Sequence, residues 1–568
     1  MNYSYISRIR LISLSIFLFA ILLIGRLYIL QIVKNDNYTT KADRQYASSA
    51  NKTFSRGTIY FKNKDNTLVS AATLKSGFII AINPQILVNP EDVYSKIKDI
   101  IPVEHDVFIA KASKKNDPYE EIATHVDLDI GQKILDLNIK GLQAYKEKWR
   151  FYPGGDTASH LLGILGYKGD EYAGRYGLER QYESLLERKD GAYINFFAEM
   201  FSDIKAAAAP TEENEGDVVT TIEPTVQTFF QSILASTTEK WSSELTGGII
   251  MDPKTGEIIA METFPTFDPN KPEEQKNVRI FSNPLVENVY EMGSIIKPLT
   301  VAAGIDAGVI TAKSTYYDKG YVIINNKKVS NFDGKERGIV SMQDVLSQSL
   351  NVGAAHVESL LGNKRFADYM FAYGLGEKTG VELPNEARDL IDNLKGNIDI
   401  DFASASFGQG IALTPVATIR ALATIANGGY LVQPHIVKSL NYKIGVSKNT
   451  PIDNGRIVLK RETTEEVARM MTYSVDHVLS NGSLSLPNYS VAAKTGTAQI
   501  AKDGGGGYYD DKFVHTFIGF FPSYNPRFIV FLYTVNPRGA RFGSETLTHP
   551  YMDMVKFLIN YYEIPPDR

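Results

Sequence analysis

The chain has 568 residues, 43% hydrophobic and 22% charged, with a formal net charge of -5. This is a globular composition, too long for one ordinary core, so two or three domains are expected, and the charge gives no basis for binding nucleic acid. The absence of cysteine excludes disulfides, thiolate catalysis and thiolate metal sites, and none of the eight histidines forms an H-x-x-x-H or H-x-H pair, which argues against a zinc hydrolase.

From Leu11 to Ile32 the chain reads LISLSIFLFAILLIGRLYILQI. At about 1.5 Å per residue this run is long and apolar enough for one bilayer span. Arg8 and Arg10 precede it and predict a short cytoplasmic tail, 1–10, ahead of a transmembrane anchor, 11–32. A cleaved signal peptide is the competing reading, but no small-x-small cleavage site follows the run. Arg26 inside the span either snorkels to the outer interface or faces a partner helix.

A mixed region follows to about residue 220. Short strand-like runs such as Gly77–Ile82 alternate with charged helical stretches, and Ala206–Pro210 with TEENEGD reads as an exposed linker. From Val218 a strand leads into an amphipathic helix capped by Thr221 or Thr225. Two β-rich runs flank Asp252–Gly256, a hairpin signature. Helical segments are expected to dominate from Ser294 to Asn427. Strands then return in VAAKTGTAQI, VHTFIGFFP and PRFIVFLYTVN, and a last helix is expected near Tyr551–Tyr562. Strands, helices and strands again predict an α/β domain with an antiparallel sheet whose strands come from both ends of the domain. The Gly504–Gly507 run lacks the Lys and Ser/Thr of a phosphate loop and reads as a turn. His160 is expected to be packed or hydrogen-bonded, and His515 to open a strand.

Three short motifs carry candidate chemistry: Ser294-Ile295-Ile296-Lys297, Ser349-Leu350-Asn351 and Lys494-Thr495-Gly496-Thr497. Each recurs elsewhere. S-x-x-K also occurs at Ser95–Lys98, S-x-N at Ser447–Asn449, and K-T-G at Lys254–Gly256 and Lys378–Gly380. Context separates them. Ser294 opens an apolar helical stretch, where the positive end of the helix dipole stabilises an oxyanion, and Lys297 lies one turn on along the same face. Ser349–Asn351 falls at a turn between helices, and Lys494–Thr497 falls in a strand. The other copies fall in surface turns or before this region.

In these three motifs the chain resembles the penicillin-binding proteins and serine β-lactamases. The resemblance to class B penicillin-binding proteins is broader. It includes RGTIY (Arg56–Tyr60), WRFYPGGDTASHLLG (Trp149–Gly163), GRYGLERQYESLL (Gly174–Leu186), FPTFDPN (Phe264–Asn270), YEMGSIIKP (Tyr290–Pro298), ASFGQGIALTP (Ala405–Pro415), HTFIGFFP (His515–Pro522) and the terminal EIPPD. RGTIYFKNKD lacks the usual acidic residue after the isoleucine, and YEMGS replaces the more usual E-P-G-S. The resemblance implies a single transmembrane helix, then an α+β pedestal (dimerisation-type) domain over 33–220, then a β-lactamase-like α/β transpeptidase domain with an antiparallel sheet over 221–568.

It further implies a peptidoglycan D,D-transpeptidase held in the bacterial plasma membrane with its catalytic domain outside the cytoplasm. Catalytic residues would be Ser294, Lys297, Ser349, Asn351 and Lys494. Thr495, Gly496 and Thr497 would bind substrate, and the backbone N–H groups of Ser294 and Thr497 would form the oxyanion hole. No metal or organic cofactor is implied. The implied ligands are stem peptides, lipid-linked precursor strands and β-lactams. The implied partner is an FtsW- or RodA-like membrane glycosyltransferase, contacted through the span around Arg26 and the pedestal. The S-L-N form and the overall length favour the septal, FtsI-type branch over the elongation branch. A D,D-carboxypeptidase or β-lactamase-type hydrolase, an acylation-driven sensor and a non-catalytic division scaffold are the alternatives.

Overall fold

A computed structural model describes residues 17–21, 23, 26, 54–169, 171–188, 215–453, 455–502, 504 and 506–568. The described residues between 17 and 26 are helical, while the rest of the predicted anchor and most of the predicted linker lie outside the described residues. Among the described residues no helix is long and apolar enough to cross a membrane.

The chain forms two compact units. The smaller includes Leu74–Arg150, and the larger is built from Arg56–Thr73, Phe151–Arg188 and Lys205–Arg568. In the smaller unit the later part of a long strand, Leu68–Ile82, pairs antiparallel with Glu120–Asp127. Helices Pro90–Ile97, His105–Ala112 and Leu128–Asp136 supply Ile97, Phe108 and Ile134 to a core around Ile80. Trp149 stacks on His125 at 4.8 Å between ring centroids.

In the larger unit, sequence boxes far apart in the chain interlock. The buried guanidinium of Arg56 meets Glu179 at 2.6 Å and Glu183 at 2.7 Å. Tyr152 donates its hydroxyl to Glu179 (3.2 Å), and its backbone N–H donates to Asn270 Oδ1 (2.9 Å). Glu179 is fully buried, so Arg56→Ala leaves a carboxylate without its counter-charge. The expected loss is about 3–5 kcal/mol of stability, measured by denaturant unfolding; an unchanged midpoint would contradict it.

One sheet of this unit has five antiparallel strands. Helix α1 (Pro224–Trp241) precedes β1 (Leu245–Met251) and β2 (Ile258–Phe264). Helices α2 (Lys297–Asp306), α3 (Asn351–Leu361), α4 (Pro415–Ala426) and α5 (Arg461–His477) follow. Last come β3 (Ala492–Ala501), β4 (Tyr508–Phe521), β5 (Phe528–Val535) and α6 (Gly543–Tyr561). The strand order is β3-β4-β5-β1-β2, so β3 is an edge and the first and last strands pair in the middle. Side chains alternate between the two faces. Ile250, Val530 and Leu532 pack with Phe230 of α1 and Tyr551 of α6, whereas Ile249, Phe531 and Tyr533 join the core that holds α2 and α4. Helix α2 is buried from Lys297 to Gly304, the pattern of a helix covered on every side.

Four local expectations are corrected. Glu223 caps α1, its carboxylate accepting from Val226 N at 2.7 Å, in place of Thr221 or Thr225. The stretch expected to be helical contains four strands: Thr315–Asp318 pairs with Gly338–Ser341, and Tyr321–Ile324 pairs with Lys327–Ser330. The last helix starts at Gly543 and runs through Pro550, because the apolar face from Leu547 to Ile559 holds it against the sheet despite the proline. His515 lies inside β4 instead of opening it.

Candidate active site

A short 3-10 turn, Gly293–Ile296, leads into α2. In this turn residues i and i+3 eclipse, which places Ser294 and Lys297 on one side. Lys297 Nζ lies 2.9 Å from Ser294 Oγ. It also reaches Ser349 O at 2.6 Å and Ser349 Oγ at 3.1 Å. Lys494 Nζ approaches the same Ser349 hydroxyl at 2.9 Å and donates to Thr495 O at 2.9 Å. Two amines therefore converge on one hydroxyl, and three motifs separated by up to 200 residues of chain meet in one cleft. Ser349 turns both of its oxygens toward Lys297 by adopting φ +58, a left-handed conformation unusual for serine.

Both lysines are buried, Lys297 completely. Burial lowers the Lys297 ammonium well below its ordinary range, and the charge of Lys494 adds to the shift. Burial brings Lys494 down to about 7. A neutral Lys297 amine has two hydrogens and one lone pair. With the hydrogens on Ser349, the lone pair is left for the Ser294 hydroxyl proton.

The cleft measures about 870 Å³ and is lined by Ser294, Ser349, Asn351 and all of Lys494–Thr497. Asn351 Nδ2 donates to Ser330 O (2.9 Å), which fixes its side chain at the rim. Thr497 Oγ1 accepts from Gly543 N at the start of α6 (2.9 Å). Gly496 has no room for a side chain: a Cβ would stand 2.2 Å from Thr516 Oγ1 and 2.6 Å from Met292 O. Every residue anticipated from the three motifs lies in or against this cleft. The other motif copies lie elsewhere: Ser95–Lys98 on and just after a helix of the smaller unit, Lys254–Gly256 in the β1–β2 turn, and Lys378–Gly380 in a loop where Thr379 donates to Glu386.

Several residues around the cleft escaped the sequence reading. Gly293 adopts φ +62 and a Cβ there would meet Thr497 O at 2.8 Å; its N–H donates to Gly408 O at 3.0 Å. Gly408 adopts φ +79 and a Cβ there would meet Gly293 O at 2.1 Å. Gly408→Ala must therefore displace the turn that carries Ser294. A displacement of about 1 Å costs about 100-fold in rate, so acylation by penicillin should fall by about that factor; an unaltered rate would show that the turn tolerates the shift. The strands between 315 and 341 brace the second motif, with Asn331 Oδ1 accepting from Val352 N (3.1 Å) and Arg337 Nε donating to Gln348 Oε1 (2.9 Å). Their β-pattern was the available signal. His515 stands opposite Thr497 on β4; its ring nitrogens meet Thr546 Oγ1 (3.0 Å) and Arg541 O (3.2 Å). Burial pushes this imidazole down to about 4, so it is neutral and structural in this setting. His160 is buried against Thr263 Oγ1 at 3.1 Å.

The penicillin binding protein transpeptidase domain matches residues 246–552, and the penicillin-binding protein dimerisation domain matches residues 52–220. Stage V sporulation protein D of Bacillus subtilis is 27% identical over 534 residues, covering 91% of this chain and 80% of that protein. The peptidoglycan D,D-transpeptidase FtsI of Buchnera aphidicola subsp. Schizaphis graminum is 26% identical over 563 residues, covering 97% and 94%. Penicillin-binding protein 3 of Mycobacterium tuberculosis, in complex with aztreonam, shares the fold with a TM-score of 0.69 at 22% identity, covering 91% of this chain and 98% of that one. With both domains matched in order and the three motifs gathered in one cleft, the chain belongs to the class B penicillin-binding proteins.

Proposed function

We propose that this chain is a peptidoglycan D,D-transpeptidase that acts through an acyl-enzyme on Ser294. The observation that carries the reading is Lys297 Nζ, buried and 2.9 Å from Ser294 Oγ. FtsI from Buchnera is named for this activity, and related penicillin-binding protein 3 structures hold aztreonam and ampicillin. Neutral Lys297 takes the Ser294 proton as Oγ attacks the carbonyl of a D-Ala-D-Ala stem. Backbone N–H groups of Ser294 and Thr497 receive the developing oxyanion, each worth about 3 kcal/mol. Ser349, between the two amines, passes a proton to the departing D-Ala amine. Asn351 holds the donor backbone, and Lys494, Thr495 and Thr497 hold its terminal carboxylate, with Gly496 giving close access. The amine of a second stem peptide then attacks the ester, forms the cross-link and releases Ser294. A β-lactam enters the first half of this cycle and stays attached.

The pH dependence follows from the lysine pair. Below the titration of Lys297 its lone pair carries a proton, so acylation slows as pH falls, about ten-fold per unit on that limb. Above about 7 the free site loses the Lys494 charge, so affinity for the substrate carboxylate weakens as pH rises. The second-order acylation constant should be bell-shaped, with both limbs belonging to the coupled pair. A profile flat from about pH 5 to about pH 9 would contradict this.

The chain is further read as a membrane-anchored, septal enzyme with an FtsW-like glycosyltransferase as partner. The apolar run at 11–32 and the FtsI-named relatives support this reading. Supplied with a membrane glycosyltransferase and lipid-linked pentapeptide precursor, the chain should yield cross-linked dimers. Trimmed tetrapeptide alone would make it a hydrolase. A fluorescent fusion should gather at midcell, and a sidewall pattern would move it to the elongation branch.

A further inference from the structure

We propose that Glu291, three residues before Ser294, is a positioning residue that ties the nucleophile turn to two other walls of the cleft. This rests on Ser294 as the acylated residue. Tyr290 and Leu413 exchange backbone hydrogen bonds of 2.9 and 2.8 Å, and Gly293 N donates to Gly408 O at 3.0 Å. Segment 290–293 is thus laced to 408–413. Glu291 adds the cross-tie: its Oε1 accepts from Gly410 N at 3.1 Å and from the Tyr508 hydroxyl at 2.8 Å.

Tyr508 is the first residue of β4 and follows the glycine-rich turn from β3. One carboxylate oxygen therefore joins the nucleophile turn, the loop that places Gln409 in the cleft, and the far end of the hairpin whose other half carries Lys494–Thr497. Neither Glu291 nor Tyr508 lines the cleft, so neither is placed to touch substrate. Packing alone does not account for an acid here. Burial raises the Glu291 carboxyl, and among the described residues its buried Oε2 has no hydrogen-bond partner. An apolar side chain would avoid that penalty. What the carboxylate provides is one acceptor for two donors on separate elements. Glutamine can reproduce that acceptor through its carbonyl oxygen, while alanine cannot.

The full-length chain is assayed with fluorescent penicillin, separating the non-covalent dissociation constant from the acylation rate constant. For Glu291→Ala the rate constant should fall about 30- to 100-fold while the dissociation constant stays within about 3-fold, the pattern of a misplaced nucleophile. Glu291→Gln should restore the rate constant to within about 5-fold of the unaltered chain. Tyr508→Phe should lose part of it, and the Glu291→Ala, Tyr508→Phe double variant should be no slower than Glu291→Ala alone. An unchanged rate constant in Glu291→Ala, a loss confined to affinity, or fully multiplicative losses in the double variant would overturn the proposal. If Glu291→Ala does not fold, Tyr508→Phe decides: a normal rate constant in that variant overturns it. Ser294→Ala runs alongside. Persistent labelling there removes the nucleophile reading itself, whereas a silent Ser294→Ala with a normal Glu291→Ala removes only the positioning role.

Discussion

Ser294→Ala is expected to bring covalent labelling by fluorescent penicillin to background while thermal unfolding stays within a few degrees of the unaltered chain. The change deletes one half-buried oxygen and its 2.9 Å contact with Lys297, and leaves the helix behind it untouched. No neighbouring group can take over. The Ser349 hydroxyl meets Lys297 and Lys494 at 3.1 and 2.9 Å, but Ser349 lies outside the Gly293–Ile296 turn that opens α2. Cross-linking and labelling should therefore vanish together. Mass spectrometry of the penicillin adduct reads the site directly, and an adduct on Ser349 or Thr495 would refute the assignment.

Lys297→Met is expected to cost about 10²–10⁴ in acylation rate, the range for a positioned general base. Methionine fills most of the same buried volume, so the fold should survive. The change frees the Ser349 carbonyl from its 2.6 Å partner, a loss of about 1–3 kcal/mol. Against that, the site no longer desolvates an amine. Lys297→Arg separates charge from basicity. A guanidinium keeps its charge and can still donate, but it does not lose its proton in this range, so it should be as slow as methionine. Near-normal acylation by either variant would remove Lys297 as the base.

The sequence made the site legible because its chemistry is local. Ser294 and Lys297 share one turn, Ser349–Asn351 one interhelical bend, and Lys494–Thr497 one strand; context set these copies apart from the others of the same spacing, and the family resemblance brought the three together. The antiparallel sheet with strands from both ends of the domain was legible for a similar reason, in the period-2 runs around the Asp252–Gly256 turn and after Val491. What stayed hidden depends on contacts between distant segments. The crowding of Gly293 against Thr497 and Gly408, the bonds from Glu291 to Gly410 and Tyr508, and the Arg56–Glu179 pair each join residues more than 100 apart. The strands at 315–341 were missed because they are four residues each, too short for a secure period, and lie between helices.

The pairing of β5 with β1 has a consequence for how the protein is made. Ser294 leaves the ribosome roughly two hundred residues before the strand that forms the opposite wall of its cleft, and the middle of the sheet cannot close until Phe528–Val535 has emerged. Such late, long-range closure is slow. A nascent chain therefore carries Ser294 without its platform. Antibiotic capture during synthesis should be negligible, and chains arrested before about residue 535 should be inert toward penicillin however well their helices form.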